Sequence, residues 1–179
     1  MRLFIAIELS EDVKNYLIIL QKKIGRDLAK INYIAKKNIH ITLKFLGEIE
    51  ENKINEFKKK LNSINFKKIE LRISKIGLFP NDEDSTILWV GFEDETRIIE
   101  LQKKIDEETI ELSKQNIKFG GHITLGRIKN VKNKEKFIKR VKESEIDKLN
   151  FNVNDFKLIR SVLSKEGPNY EVLDTYFLE

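Results

Sequence analysis

Two short stretches decide how this chain is read: Ile39-His40-Ile41-Thr42-Leu43-Lys44-Phe45-Leu46-Gly47 and Gly121-His122-Ile123-Thr124-Leu125-Gly126-Arg127. The chain holds two histidines, and each opens the same unit, His-Ile-Thr-Leu. Both stretches are rich in β-branched residues and alternate in polarity, which predicts strands. Successive strand side chains point to opposite faces. His40 and Thr42 therefore share one face, and Ile39, Ile41 and Leu43 the other. His122 and Thr124 repeat this against Ile123 and Leu125. Each half of the chain delivers an imidazole and a hydroxyl on the face turned away from the core.

A length of 179 residues fits one large domain or two small lobes, and 40% hydrophobic against 35% charged residues fits a water-soluble globular protein. No apolar run reaches the roughly 18 residues of a membrane span. The opening Met1-Arg2-Leu3-Phe4-Ile5-Ala6-Ile7 runs into Glu8, Glu11 and Asp12, which reads as a first strand and not a secretory leader. There is no cysteine, which excludes disulfides and thiolate chemistry and makes the cytoplasm the expected location. A net charge of +5 suits an anionic partner without specifying one.

From these stretches outward, Arg2 to Leu9 reads as a buried strand. Ser10 caps a helix with Val13, Tyr16, Leu17, Leu20 and Ile24 on one face, ending near Gly25. Residues 31–37 read as a connection into the first motif strand. A second helix is expected over about Glu51 to Ser63, with the triplet Lys58-Lys59-Lys60 on its outer side, read as a solvated face ahead of an RNA-facing patch. Strands follow at about Phe66 to Ile76 and Thr86 to Phe92, with the Pro80-to-Asp84 cluster as a turn. Asp94 or Thr96 caps a third helix reaching about Lys114, and a lysine-rich fourth helix covers about Asn133 to Glu143. Two strands close the chain, Phe151 to Ser164 and Tyr170 to Phe177. The order is α+β with a rough internal repeat, and it predicts two lobes with a cleft between them that holds both motifs. The expectation is a single bilobal domain over 1–179, with one His-x-Thr pair in each lobe.

An unperturbed histidine titrates near 6.5, so a pair at one site can supply a general base and a general acid near neutrality. Threonine hydroxyls donate hydrogen bonds to charged oxygens. Together these groups suit in-line displacement at a phosphodiester phosphorus, with the threonines holding the phosphoryl oxygens. No metal or other cofactor is needed, and neither motif places a carboxylate beside its histidine to complete a metal site. No Gly-x-Ser-x-Gly elbow supports a serine nucleophile. The plain alternative, two structural histidines, does not account for a repeated unit that uses every histidine in the chain.

These motifs resemble the paired His-x-Thr signatures of the 2H phosphoesterase superfamily, and within it the RNA 2′,3′-cyclic phosphodiesterases, also called 2′-5′ RNA ligases. The likeness extends from Arg2-Leu3-Phe4-Ile5-Ala6-Ile7 to Leu163-Ser164-Lys165-Glu166-Gly167-Pro168-Asn169-Tyr170. It implies an α+β fold of two pseudo-symmetric lobes of mainly antiparallel sheet with outer helices and a central cleft, opening of a 2′,3′-cyclic phosphate at an RNA end to a 2′-phosphate, and reverse ligation to a 2′-5′ linkage. It implies His40 as proton donor, His122 as proton acceptor, and Thr42 and Thr124 as phosphate ligands. The implied partner is RNA with 2′,3′-cyclic phosphate ends, tRNA fragments among them, bound by a monomer with no membrane contact. The chain departs from the family in the approach Tyr33-Ile34-Ala35-Lys36-Lys37 and at Gly121, which bears on loop shape and the base-binding wall. Lys44 shares strand parity with His40 and Thr42, which makes it a candidate for the cleft. Arg127 has the opposite parity from His122 unless the strand bulges, yet the family pattern puts an arginine there. Phe4, Tyr33 and Tyr170 are candidates for stacking on a base. Two other readings share the motifs: a 2′-5′ oligonucleotide or small cyclic nucleotide phosphodiesterase, and a non-catalytic RNA-binding module.

Overall fold

The computed structural model describes residues 1–82, 84–113, 119–165 and 167–179. Among the described residues, nine strands and four α-helices form an α+β fold of two antiparallel sheets. The strands are β1 (Arg2–Glu8), β2 (Ala29–Tyr33), β3 (His40–Glu48), β4 (Ile69–Phe79), β5 (Ile87–Phe92), β6 (His122–Val131), β7 (Leu149–Val153), β8 (Asp155–Ser164) and β9 (Gly167–Phe177). The helices are α1 (Glu11–Ile24), α2 (Ile54–Asn62), α3 (Thr96–Thr109) and α4 (Lys134–Lys142). One sheet has the order β3-β1-β8-β9 and carries His40; the other has the order β2-β6-β5-β4-β7 and carries His122.

Each sheet turns one face to the helices. Leu3, Ile5, Ile7, Ile41 and Leu43 of the first sheet and Leu88, Val90, Ile123 and Leu125 of the second are buried together with Leu17, Leu20, Leu101 and Ile105 of α1 and α3. Each such side chain contributes roughly 1.5–3 kcal/mol by leaving water, before chain entropy is counted. α1 starts where Ser10 Oγ accepts from the Val13 amide and ends at Gly25, whose φ of 72° favours glycine. Asn133 caps α4 by accepting from the Lys136 amide at 3.0 Å.

Three expectations about elements change. Residues 31–37 are not a plain connection, because Ala29–Tyr33 forms an edge strand on β6. Five residues of alternation are too few to stand out from a loop in sequence. The expected strand Phe151 to Ser164 divides at Asn154: β7 pairs with β4 in one sheet, and β8 pairs with β1 and β9 in the other. The start of the second helix, Glu51–Lys53, is a 3-10 turn. Lys114, the expected end of the third helix, lies outside the described residues, as do Glu83 and Glu166 of two expected turns. Both sheets mix strands from the two halves of the sequence, so the repeat in the chain is interleaved in space.

Candidate active site

The two motif strands share one irregularity. In β3, Thr42 lies opposite Ala6 and Lys44 opposite Ile5, which leaves Leu43 as an extra residue. In β6, Thr124 lies opposite Trp89 and Gly126 opposite Leu88, which leaves Leu125 extra. A bulge of this kind shifts side-chain alternation by one. Beyond it, residues 45 and 127 take the face already held by residues 40, 42 and 122, 124. The exposure pattern is the same over the first seven positions of both strands.

This overturns the placement of Lys44 in the cleft. Lys44 is 5% exposed and points into the helical layer. Its ammonium donates to Thr109 Oγ1 at 3.0 Å and lies 2.7 Å from Asp106 Oδ1. That contact is one of charge without hydrogen-bond alignment, since Oδ1 has no hydrogen-bond partner. Phe45, half exposed, takes the cleft position instead. Arg127 is exposed and shares the face of His122 and Thr124. It lies near enough to Tyr170 of the other sheet for its charge to hold down a phenol that burial pushes up.

The helices brace the bulges crosswise. Gln21 of α1, from the first half, donates to the Leu125 carbonyl at 3.0 Å and to the Ile34 carbonyl at 2.9 Å. The Ile34 amide donates to the same Leu125 oxygen at 2.9 Å. Asp106 of α3, from the second half, holds Lys44 beside the first bulge. Each motif strand is therefore tied to a helix of the other half.

The imidazoles are anchored alike. His40 Nδ1 lies 2.7 Å from the Asn38 carbonyl, and His122 Nδ1 lies 2.8 Å from the Gly120 carbonyl. A carbonyl only accepts, so each Nδ1 carries the proton and each Nε2 keeps its lone pair. In His40 that nitrogen accepts from the Thr42 hydroxyl at 2.9 Å. In His122 no described residue engages it. The sheets meet where β3 passes β6. β2 pairs only with residues 126–131 of β6, which leaves the His122 end of that strand open on this side. The two rings are close enough to repel one another as cations.

The walls differ. Around His40, Phe4 lies at 5.1 Å and Tyr170 at 5.4 Å between ring centroids, with Phe4 and Tyr170 edge-on at 5.0 Å. A cavity of about 130 Å³ opens beside them, lined by Glu8, Asn38, His40, Ile159 and Tyr170 among others. Burial holds the His40 imidazole below its ordinary value; the Asn38 carbonyl and the Glu8 carboxylate oppose that shift, while Lys14 and His122 add to it. Around His122 stands Trp89, its ring 6.5 Å away and edge-on. The indole lies across Gly77 and Gly91, where a Cβ would sit 2.6 and 2.8 Å from its ring carbons. The sequence reading missed Trp89, although it alternates with the core residues Leu88 and Val90. Tyr33 is not at this site: its hydroxyl donates to the Gly25 carbonyl at 2.6 Å, under the Arg26 guanidinium. In the lysine triplet, Lys58 binds the Leu173 carbonyl and Asp174, and Lys60 pairs with Glu111.

Among the described residues no cluster of three or more metal-ligating side chains occurs, and no helix is long and apolar enough to cross a membrane. The family model for LigT-like phosphoesterases matches residues 7–89 and again 90–170, one match for each His-x-Thr unit. An RNA 2′,3′-cyclic phosphodiesterase of Methanocaldococcus jannaschii is 35% identical over 176 residues, spanning 97% of this chain and 98% of that protein. One of Thermotoga maritima is 30% identical over 97% of this chain and 93% of its own length. A crystal structure of a Thermus thermophilus protein superposes with a TM-score of 0.80 at 25% identity, covering 99% of this chain and 97% of that one. Escherichia coli LigT complexed with 3′-AMP shares the fold, with a TM-score of 0.77 at 23% identity and coverage of 99% and 97%. The tandem match over both halves and full-length relatives at this identity place the chain in the LigT-like phosphoesterase family.

Proposed function

We propose that the chain is an RNA 2′,3′-cyclic phosphodiesterase that opens the cyclic phosphate to a 2′-phosphate without a metal. The observation that carries this reading is the pair of imidazoles, each fixed through Nδ1 by the carbonyl two residues earlier and each followed by a threonine on the same strand face, with Thr42 in hydrogen-bond contact with His40. The names of the relatives supply the substrate class.

In the proposed reaction a water oxygen attacks phosphorus and its proton passes to Nε2 of His122, the nitrogen left free. The bond from phosphorus to the 3′ oxygen breaks, and that oxygen takes a proton from Nε2 of protonated His40. The products are a 2′-phosphate and a 3′-hydroxyl. Thr42 and Thr124 hold the non-bridging oxygens as charge develops, with Arg127 supplying positive charge on the same face. Thr42 turns from His40 to the phosphate when the substrate enters. Protonation of His40 works against burial, and the Glu8 carboxylate and the substrate anion provide the opposing charge. A 5′-hydroxyl that attacks phosphorus in place of water, with the same 3′ oxygen leaving, gives ligation through a 2′-5′ linkage.

The test is an oligoribonucleotide with a 2′,3′-cyclic end, incubated in excess chelator, with the product phosphate located by phosphorus NMR. The expected product is the 2′-phosphate. Formation of the 3′-phosphate, or turnover that the chelator abolishes, contradicts the proposal. Binding without turnover would point to the RNA-binding module.

A further inference from the structure

The face of β6 that bears His122, Thr124 and Arg127 does not end at the site. Arg127 stands opposite Asn32 of β2, and Asn130 opposite Lys30. Lys30 and Asn32 are the exposed positions of that edge strand. Lys132 follows, fixed by its amide to the Leu28 carbonyl at 2.8 Å. Arg26, on the loop from α1, closes the far side with its guanidinium 5.3 Å from the Tyr33 ring centroid. Together Arg26, Lys30, Asn32 and Lys132 line an open concavity of about 650 Å³. No described carboxylate pairs with Arg26, Lys30 or Lys132. The neighbouring acid, Asp27, is taken by Arg140. Some cations elsewhere on the surface, among them Lys36, Arg72, Lys75, Lys142 and Lys157, have acidic partners.

We propose that this concavity is a second binding site, which takes the phosphodiester backbone of single-stranded RNA and leads it along β6 from the reacting phosphate. The proposal rests on the RNA reaction proposed above. The chemistry supports a backbone ligand: three unpaired cations and an amide side chain recognise phosphate and ribose without reading sequence. The strand face supplies a continuous path, because Arg127 belongs both to the reacting site and to the ladder that ends at Lys132. Two RNA segments carry this chemistry: the body of the strand whose end is cyclic, and a second strand that offers a 5′-hydroxyl on the His122 side.

The test compares wild type with the combined variant Arg26→Gln, Lys30→Gln, Lys132→Gln. The substrates are a mononucleoside 2′,3′-cyclic phosphate and a ten-residue RNA with the same end, each over a salt series. Loss of three phosphate contacts on a single strand lowers the salt slope of log affinity by about 2, so between 50 and 200 mM salt the wild type loses about twentyfold more affinity than the variant. A raised KM for the decamer with an unchanged KM for the mononucleotide assigns the concavity to the strand being hydrolysed. An unchanged decamer KM with weakened anisotropy-measured binding of a 5′-hydroxyl RNA assigns it to the second strand. No change in either arm, or an equal change for the mononucleotide, overturns the proposal. Should wild type turn over neither substrate, the proposed reaction fails, and the anisotropy arm still decides whether the concavity holds RNA. Removing three unpaired surface cations elsewhere, by Lys59→Gln, Lys67→Gln and Lys103→Gln, is the control and is expected to leave both arms unchanged.

Discussion

The ion pair between Lys44 and Asp106 supports an asymmetric prediction. The Lys44 side chain is 4% exposed and that of Asp106 32%. Asp106→Ala leaves a buried ammonium whose remaining partner is the Thr109 hydroxyl, itself donating to the Ile105 carbonyl at 2.6 Å. Stranding a buried charge in this way costs about 3–5 kcal/mol. Lys44→Met keeps the apolar volume of the stem. It leaves a carboxylate that can recruit water and still accepts from Gln102 Nε2 at 2.9 Å. The expected cost is about 1–2 kcal/mol, and it is not zero because Asp106 Oδ1 is buried. The double variant should resemble Lys44→Met, since removing both partners removes the stranded charge. Urea denaturation gives the three values. The KM of Lys44→Met for a 2′,3′-cyclic nucleotide should stay at the wild-type level, because this lysine faces α3 and not the substrate. A larger stability loss in Lys44→Met than in Asp106→Ala, or a raised KM at intact stability, would refute the bracing role.

Further expectations concern the site itself. Thr124→Val should lower kcat by about 10²–10³ with the fold intact, as loss of one donor to a developing anionic charge does; an unchanged kcat removes Thr124 from the phosphate. In the pH profile of kcat/KM, which reports the free enzyme, activity should fall as His40 loses its proton. Because burial lowers that imidazole, the fall should lie below the ordinary 6.5, and Glu8→Gln, which removes a carboxylate that raises it, should move the fall lower still. A limb that moves up in Glu8→Gln would contradict this reading. Trp89 is the chain's one tryptophan. Gly77→Ala puts a methyl 2.6 Å from its ring, which should change its emission and cost about 1–3 kcal/mol through overpacking; unaltered emission and stability would mean the indole has room to move.

The sequence carried the two His-x-Thr faces and the main helices because period 2 and period 3.6 are visible over runs of this length. What it could not carry was the bulge. A single extra residue at Leu43 and at Leu125 leaves no mark in composition, yet it sends Lys44 into the interior and brings Arg127 onto the face of His122. Strand parity therefore holds up to Thr42 and fails two residues later. Gly126, in the position that Lys44 holds in the other strand, was a usable hint, because there a Cβ would meet Ile31 at 2.6 Å. The split of the long closing strand at Asn154 was equally hidden, because both pieces alternate and only their sheet partners differ. Trp89 could have been found from its alternation with Leu88 and Val90.

In the proposed reaction two imidazoles, one from each sheet, act on one phosphorus. This is tested most directly by turnover of an RNA 2′,3′-cyclic phosphate by His40→Ala and His122→Ala, each checked for an unchanged circular dichroism spectrum and melting point. Either change alone is expected to lower kcat by about 10²–10⁴, the range of a lost general acid or base. Wild-type turnover in either folded variant would contradict it.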